Sequence, residues 1–306
     1  MSSIASAPEH SPAEARGGLA AGLLAYSLWG FLPLLFHLLE GVGSVTIVAE
    51  RTVWSVLFVG GILYFGGRFK EVAAALRDPR VLRGMALSCV LLAMNWLIYV
   101  WAVETGQVLE ASFGYFINPL VNIAIGMVLL GERQNFWQLV SIGIAIIAIG
   151  IQAVGVGRIP FVALSLALSF GFYGYFRKTA KVQSTAGLFV ETLMLAPFAL
   201  GYIAYGFVTS GPGPHADPML LFLLVMTGPA TAVPLLLFAF AVQRLRMTTI
   251  GMLQYIAPSI QFVLAITVFG EHLNGIRLFS FALIWLSLVV FTADSVRRQR
   301  SARVAA

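Results

Sequence analysis

GMALSCVLLAMNWLIYVWAVETGQVLEASFGYFINPLVNIAIGMVLLG, residues 84 to 131, holds two apolar runs, 84–103 and 110–131, parted by a short polar break at Glu104–Gln107. Each run has about the 20 residues that an α-helix needs to cross roughly 30 Å of hydrocarbon. The apolar residues follow one another without the alternation of a membrane β-strand, which sets a barrel aside.

The same signature extends over most of the 306 residues. Hydrophobic residues make up 59% of the chain, aromatic residues 12% and charged residues 10%, with a mean hydropathy of +0.90. A water-soluble fold, with about 25% charged residues, has nowhere to put so much apolar surface. In lipid the backbone must satisfy itself, which a helix does within one segment. Ten helical spans are expected, near 18–39, 45–67, 84–103, 110–131, 136–155, 159–176, 186–208, 219–242, 248–270 and 275–293. The first, Gly18 to Leu39, is too long for the core of a signal peptide and reads as a retained helix. Cys89 is the single cysteine and lies inside an apolar run, so neither an internal disulfide nor a cysteine-based metal site can form.

A net charge of +6 raises the question of nucleic acid, and the placement of the basic residues answers it. Sixteen of the nineteen Lys and Arg fall in the tails and connections of one side, only Arg158 and Arg277 fall on the other, and Arg51 lies inside a span. Basic residues gather on the cytoplasmic side of membrane proteins, so both termini are expected there and no nucleic-acid partner is expected.

The chain repeats itself. Ala102-Val103, Pro119 and Gly131-Glu132 recur in one unbroken register as Ala241-Val242, Pro258 and Gly270-Glu271. Nearer the start of each half, Gly30-Phe31 and Glu50 recur in a second, slightly longer register as Gly171-Phe172 and Glu191. An odd number of helices per half turns the second half over relative to the first, giving an inverted repeat, the geometry associated with alternating access. The expected fold class is an all-α membrane protein of ten transmembrane helices in two inverted five-helix repeats. Its expected organisation is a tail over 1–17, repeats over 18–155 and 156–294, and a basic tail over 295–306.

Ionisable groups at membrane depth need a partner, a wet cavity or an escape to the interface. Glu50 and Glu191 occupy matched positions, where a desolvated carboxylate can bind a cation or take up a proton, or serve as a buried strut. Arg51 points about 100° away from Glu50, toward the cavity or the outer interface. Polar and aromatic residues share helical faces: Tyr26, Trp29 and Pro33; Glu50 and Trp54; Asn95 and Tyr99; Tyr115, Asn118 and Asn122; Tyr173 and Arg177; Gln254 and Gln261. These faces are expected to line a cavity. Pro119 and Pro258 are expected to kink their helices as hinges, whereas Glu132 and Glu271 mark helix ends. The histidines, His10, His37, His215 and His272, show no metal-ligand spacing, and neither a phosphate loop nor a nucleophile elbow is present. No cofactor, metal or enzymatic activity is expected.

AYSLWGFLPLLF at 25–36, ERTVWS at 50–55 and NWLIYVWAVETGQVLEASFGYFINPLVNIAIGMVLLGER at 95–133 resemble the RarD-type permeases of the drug/metabolite transporter superfamily. So do LSFGFYGYFRK at 168–178, ETLMLAP at 191–197 and TAVPLLLFAFAVQRLRMTTIGMLQYIAPSIQFVLAITVFGE at 231–271. The resemblance implies two EamA-like repeats, a multi-pass place in the bacterial cytoplasmic membrane, and secondary transport of small organic molecules, most often pictured as export. Glu104 and Gln107 depart from the family pattern, which usually reads asparagine and histidine there. The expected partners are a small-molecule substrate, membrane lipid and a coupling proton. Gly143 and Gly150 offer a small-residue face for a homodimer. The alternative reading is a membrane-embedded sensor or enzyme that binds a hydrophobic metabolite without moving it.

Overall fold

A computed structural model describes residues 12–130, 135–179, 182–245 and 253–304. Eleven α-helices and one 3₁₀ turn make up these residues: α1 Pro12–His37, α2 Ser44–Phe65, α3 Phe69–Arg77, α4 Pro79–Glu104, α5 Val108–Leu130, α6 Phe136–Val156, α7 Phe161–Thr179, α8 Ser184–Ser210, the turn Gly213–Ala216, α9 Pro218–Arg244, α10 Ile256–Thr267 and α11 Gly275–Val304. Among the described residues seven helices are long and apolar enough to cross a membrane: α1, α2, α4, α6, α8, α9 and α11. Phe161–Phe176 and Ile256–Thr267 are shorter apolar helices.

The helix starts are written in the sequence. Asp78 accepts hydrogen bonds from Arg80 N and Val81 N at the head of α4, with Pro79 in the first position. Asp217 and Pro218 do the same for α9, with bonds from Met219 N and Leu220 N. An aspartate cap followed by proline satisfies donors that a helix leaves open and loses none that the helix uses. Asn135 and Gln138 form a reciprocal capping box on α6.

Two features depart from the sequence reading. The basic stretch between the second and third spans contains a separate amphipathic helix, α3, which buries Val72 and Ala75 in the core that includes Phe189 of α8. Arg68 pairs with Glu71 at 2.9 Å and donates to Gln183 at 2.6 Å, fixing α3 to the start of α8. The expected span 248–270 is represented by α10, with 246–252 outside the described residues. Pro258 therefore stands in the first turn of α10, where its missing N–H has no helical carbonyl to serve, whereas Pro119 is inside α5. Glu132 lies outside the described residues.

Helices of the first half pack on those of the second in a matched pattern: α1 on α9 and α10, α7 on α4 and α5, α2 on α8 and α9, α4 on α8, α5 on α10, and α6 on α11. Exchanging α1, α2, α4, α5 and α6 for α7, α8, α9, α10 and α11 converts this set of pairs into itself, and the smaller α5–α11 contact stands outside it. Phe113 and Phe116 of α5, Phe262 of α10, and Phe281 and Trp285 of α11 form one edge-to-face aromatic core. Two crossings are closer than any side chain permits. A Cβ on Gly114 would stand 2.6 Å from the Ala163 carbonyl oxygen, and one on Gly228 would stand 2.6 Å from the Trp54 carbonyl carbon. At both places one backbone rests on another, and Trp54 and Gly228 lie near the middle of α2 and α9.

Candidate functional site

The second turn of α2 carries Glu50 and Arg51, each 4% exposed and each with its own surroundings. One Glu50 oxygen lies 2.6 Å from His215 Nε2, and the other accepts the Trp54 indole N–H at 2.9 Å. His215 Nδ1 lies 3.0 Å from the Pro212 carbonyl oxygen. A carbonyl only accepts, so Nδ1 carries hydrogen, and the Nε2 contact then holds either imidazolium with carboxylate or neutral imidazole with carboxylic acid. In both forms Glu50 and His215 share one proton. The sequence reading missed His215, because the turn that carries it is distant from Glu50 along the chain.

Arg51 points into the meeting place of several helices. Its Nε donates to Thr231 Oγ1 of α9 at 2.6 Å, and its guanidinium carbon lies 4.2 Å from the Trp96 ring of α4 and 5.5 Å from the Phe36 ring of α1. The Phe36 ring packs on Tyr99 at 5.9 Å, and Tyr99 on Tyr115 of α5 at 5.6 Å. Gln261 of α10 donates from Nε2 to the Tyr99 hydroxyl at 3.1 Å and to the Trp29 carbonyl at 3.2 Å. Trp29 and Tyr26 pack edge to face at 5.4 Å and close this layer against Phe238. Among the described residues, Arg51 Nη1, Ser55 Oγ, Asn118 Oδ1 and Gln261 Oε1 are buried without hydrogen-bond partners.

The other expected residues are placed differently. Glu191 is fully buried one to two turns into α8; it accepts from Ser88 Oγ at 2.6 Å and from the Tyr173 hydroxyl at 3.4 Å. Asn95 donates to the Leu166 carbonyl and to Ser169 Oγ, tying α4 to α7. Asn122 is exposed beside the α5–α7 seam, and Gln254 is half-buried just ahead of α10. Cys89 is buried and donates weakly to the Glu191 carbonyl oxygen at 3.4 Å. Gly143 and Gly150 face open space. A separate groove of about 530 Å³, lined by Gly43, Thr46, Leu97, Trp101, Phe161 and Tyr202 among others, shares no residue with the Arg51 surroundings.

At the end of the bundle that carries Glu104, three carboxylates cap helices other than their own. Glu104 accepts from Gly43 N and Ser44 Oγ at the head of α2. Glu110 accepts from Val162 N near the head of α7 at 2.9 Å and pairs with Arg158 at 2.9 Å. Glu271 accepts from Val108 N and Leu109 N at the head of α5. Negative charge is favourable at these positive helix ends. Gln107, the other departure from the family pattern, accepts from Arg158.

Burial raises the Glu271 carboxyl to about 7, against the downward pull of the Leu109 and Val108 N–H groups and Arg277, with Glu110 pushing upward. A carboxyl raised from 4.5 in this way binds its proton more readily in the folded state. Its contribution to stability is complete below pH 4.5 and is lost as pH rises through about 7. Thermal unfolding in detergent is therefore expected to show this component falling between about pH 5 and pH 8. Glu271→Gln is expected to flatten it; an identical pH profile in the variant would refute the assignment.

Residues 16–153 match the EamA-like transporter family. An uncharacterised transporter of Pseudomonas aeruginosa is 43% identical over 94% of this chain and 97% of its own length. Protein RarD of Streptomyces exfoliatus is 41% identical over 95% and 92%, and Protein RarD of Escherichia coli 38% identical over 94% and 97%. A crystal structure aligns with a TM-score of 0.58 at 18% identity, covering 92% of this chain and 98% of its own, a likeness of fold. With relatives this similar along almost its whole length, the chain belongs to the RarD-type branch of the EamA-like transporter family, the multi-pass transporters of the bacterial cytoplasmic membrane.

Proposed function

We propose that this protein is a secondary transporter that moves small organic molecules, in the direction of export, by alternating access between two inverted five-helix repeats. The observation that carries the reading is the matched pairing of the two sets of five helices, which survives exchange of the halves. It gives physical support to the repeat seen as recurring residues, over 18–155 and 156–294, while the gathering of Lys and Arg on one side supports cytoplasmic termini. In this frame Glu50 lies toward the outer end of α2 and Glu191 toward the inner end of α8. Each carboxylate is then a proton site near one face of the membrane. The shared proton of Glu50 and His215 supports coupling to a proton gradient, since protonation of either group changes the bond that ties α2 to the α8–α9 connection.

Around Arg51, the rings of Phe36, Trp96, Tyr99 and Tyr115 with Trp29 and Gln261 supply an apolar wall with few polar groups, the usual composition of a small-molecule site. Tyr26, Trp54, Asn118, Tyr173 and Gln254 belong to the same proposed lining, while Asn95 and Asn122 contribute through the α4–α7 and α5–α7 seams.

The test is flux in proteoliposomes of labelled amino acids, organic acids, amines and chloramphenicol, with and without an imposed proton gradient. Saturable movement of one class that responds to the gradient is expected. Binding without movement would replace the proposal by a sensor or enzyme, and flux linear in concentration would replace it by a channel.

A further inference from the structure

We propose that Arg51 is the anion-binding group of the central site and that the cargo is a small organic acid, with one carboxylate on a compact apolar or aromatic body. This rests on the transporter reading and names its substrate class.

Arg51 is 4% exposed, and its charge is permanent at any physiological pH. Buried guanidinium groups in proteins are normally paired, because an unpaired one keeps the desolvation penalty without its return. No carboxylate oxygen lies within 4.0 Å of Arg51 among the described residues, and the carboxylate of its neighbour Glu50 is engaged by His215 and Trp54. Thr231 takes only Nε, which leaves Nη1 buried and unbonded. The Trp96 and Phe36 rings stabilise a cation through their faces but accept no strong in-plane hydrogen bond, so they hold the guanidinium in place without satisfying its buried Nη1.

The fold does not demand this charge. The repeat register that relates Glu50 to Glu191 puts Thr192 where Arg51 stands, and Thr192 simply bonds back to the Leu188 carbonyl. A carboxylate completes the arginine fork with two parallel bonds, a geometry that a neutral amide matches poorly and an amine opposes. The surrounding rings suit an apolar body, and the unbonded Gln261 Oε1 is available to an N–H or O–H donor elsewhere on the same molecule.

Three compounds of one shape isolate the charge: phenylacetate, phenylacetamide and phenethylamine. Binding of each to the full-length purified protein is measured by calorimetry, and flux of the labelled acid is measured in proteoliposomes. The acid is expected to bind at least tenfold more tightly than the amide, with the amine weakest. Arg51→Gln is expected to abolish that preference, and Arg51→Lys to retain part of it. Should removal of Arg51 prevent folding, Thr231→Val keeps the charge while removing the acceptor on Nε, and is expected to weaken binding of the acid more than of the amide. Equal or absent binding of the acid in the wild type, or an undiminished preference in Arg51→Gln, overturns the proposal. Arg51-dependent binding of the acid without flux would leave the anion site standing and remove the transporter reading. Saturable flux of a neutral or cationic compound with no preference for the acid would do the reverse.

Discussion

Leucine at Gly114 or Gly228 is expected to destabilise the protein severely, by more than about 3 kcal/mol, the upper range for overpacking a core. At each site the first carbon of any side chain would meet backbone atoms of the facing helix, Ala163 of α7 or Trp54 of α2, at 2.6 Å. Flexible side chains can turn away from an intruder, but backbone can yield only by separating the helices. Separation of α5 from α7 or of α2 from α9 would loosen the contacts around Arg51 as well. Gly143 is the control, because a Cβ there meets nothing within 4 Å. Alanine at Gly143 is expected to be neutral or to stabilise by about 0.4–1 kcal/mol through the unfolded chain. Melting temperatures in detergent decide the matter. Unchanged values for both leucine variants would show that the two crossings are not in contact.

Glutamine at Glu50 or Glu191 is expected to lower gradient-driven flux at least tenfold, about 1.4 kcal/mol in the limiting barrier, with far smaller changes in melting temperature. The amide preserves size and keeps an oxygen for the Trp54 or Ser88 donor, so packing survives while the exchangeable proton is lost. His215→Asn is expected to shift the pH dependence of flux in the same direction as Glu50→Gln, since both remove one side of the shared-proton contact. Flux and pH dependence unchanged in both glutamine variants would end the proton-coupling mechanism.

Apolar run lengths announced the helices, because burial in lipid acts on each segment separately and leaves its mark locally. The Asp-Pro caps of α4 and α9 are equally local, and their recurrence in the register of Pro119 and Pro258 is a further sign of the repeat. Helix α3 was hidden by its nine residues and its charges, which mimic a basic loop. What a single chain does not disclose is which faces meet. Glu50 and His215 come together only after α8 and α9 have packed on α2, and Glu104, Glu110 and Glu271 reveal themselves as caps only against helices distant in sequence. Asn95 and Tyr99 share a face of α4, yet one bonds to α7 and the other faces the Arg51 cluster through α10. Periodicity gives the face; packing chooses the partner.

The contact of Gly228 with Trp54 lies about halfway along both helices. Two rods that touch at their centres behave as a seesaw: when their ends spread on one side they must converge on the other. In the proposed alternating-access cycle such a fulcrum would make simultaneous opening at both ends mechanically awkward and so would limit leak before any gate is specified. Arg51 lies less than one turn of helix from that fulcrum, near the point of least displacement during the swing. A group held there would keep its grip on cargo while the walls above and below exchange roles.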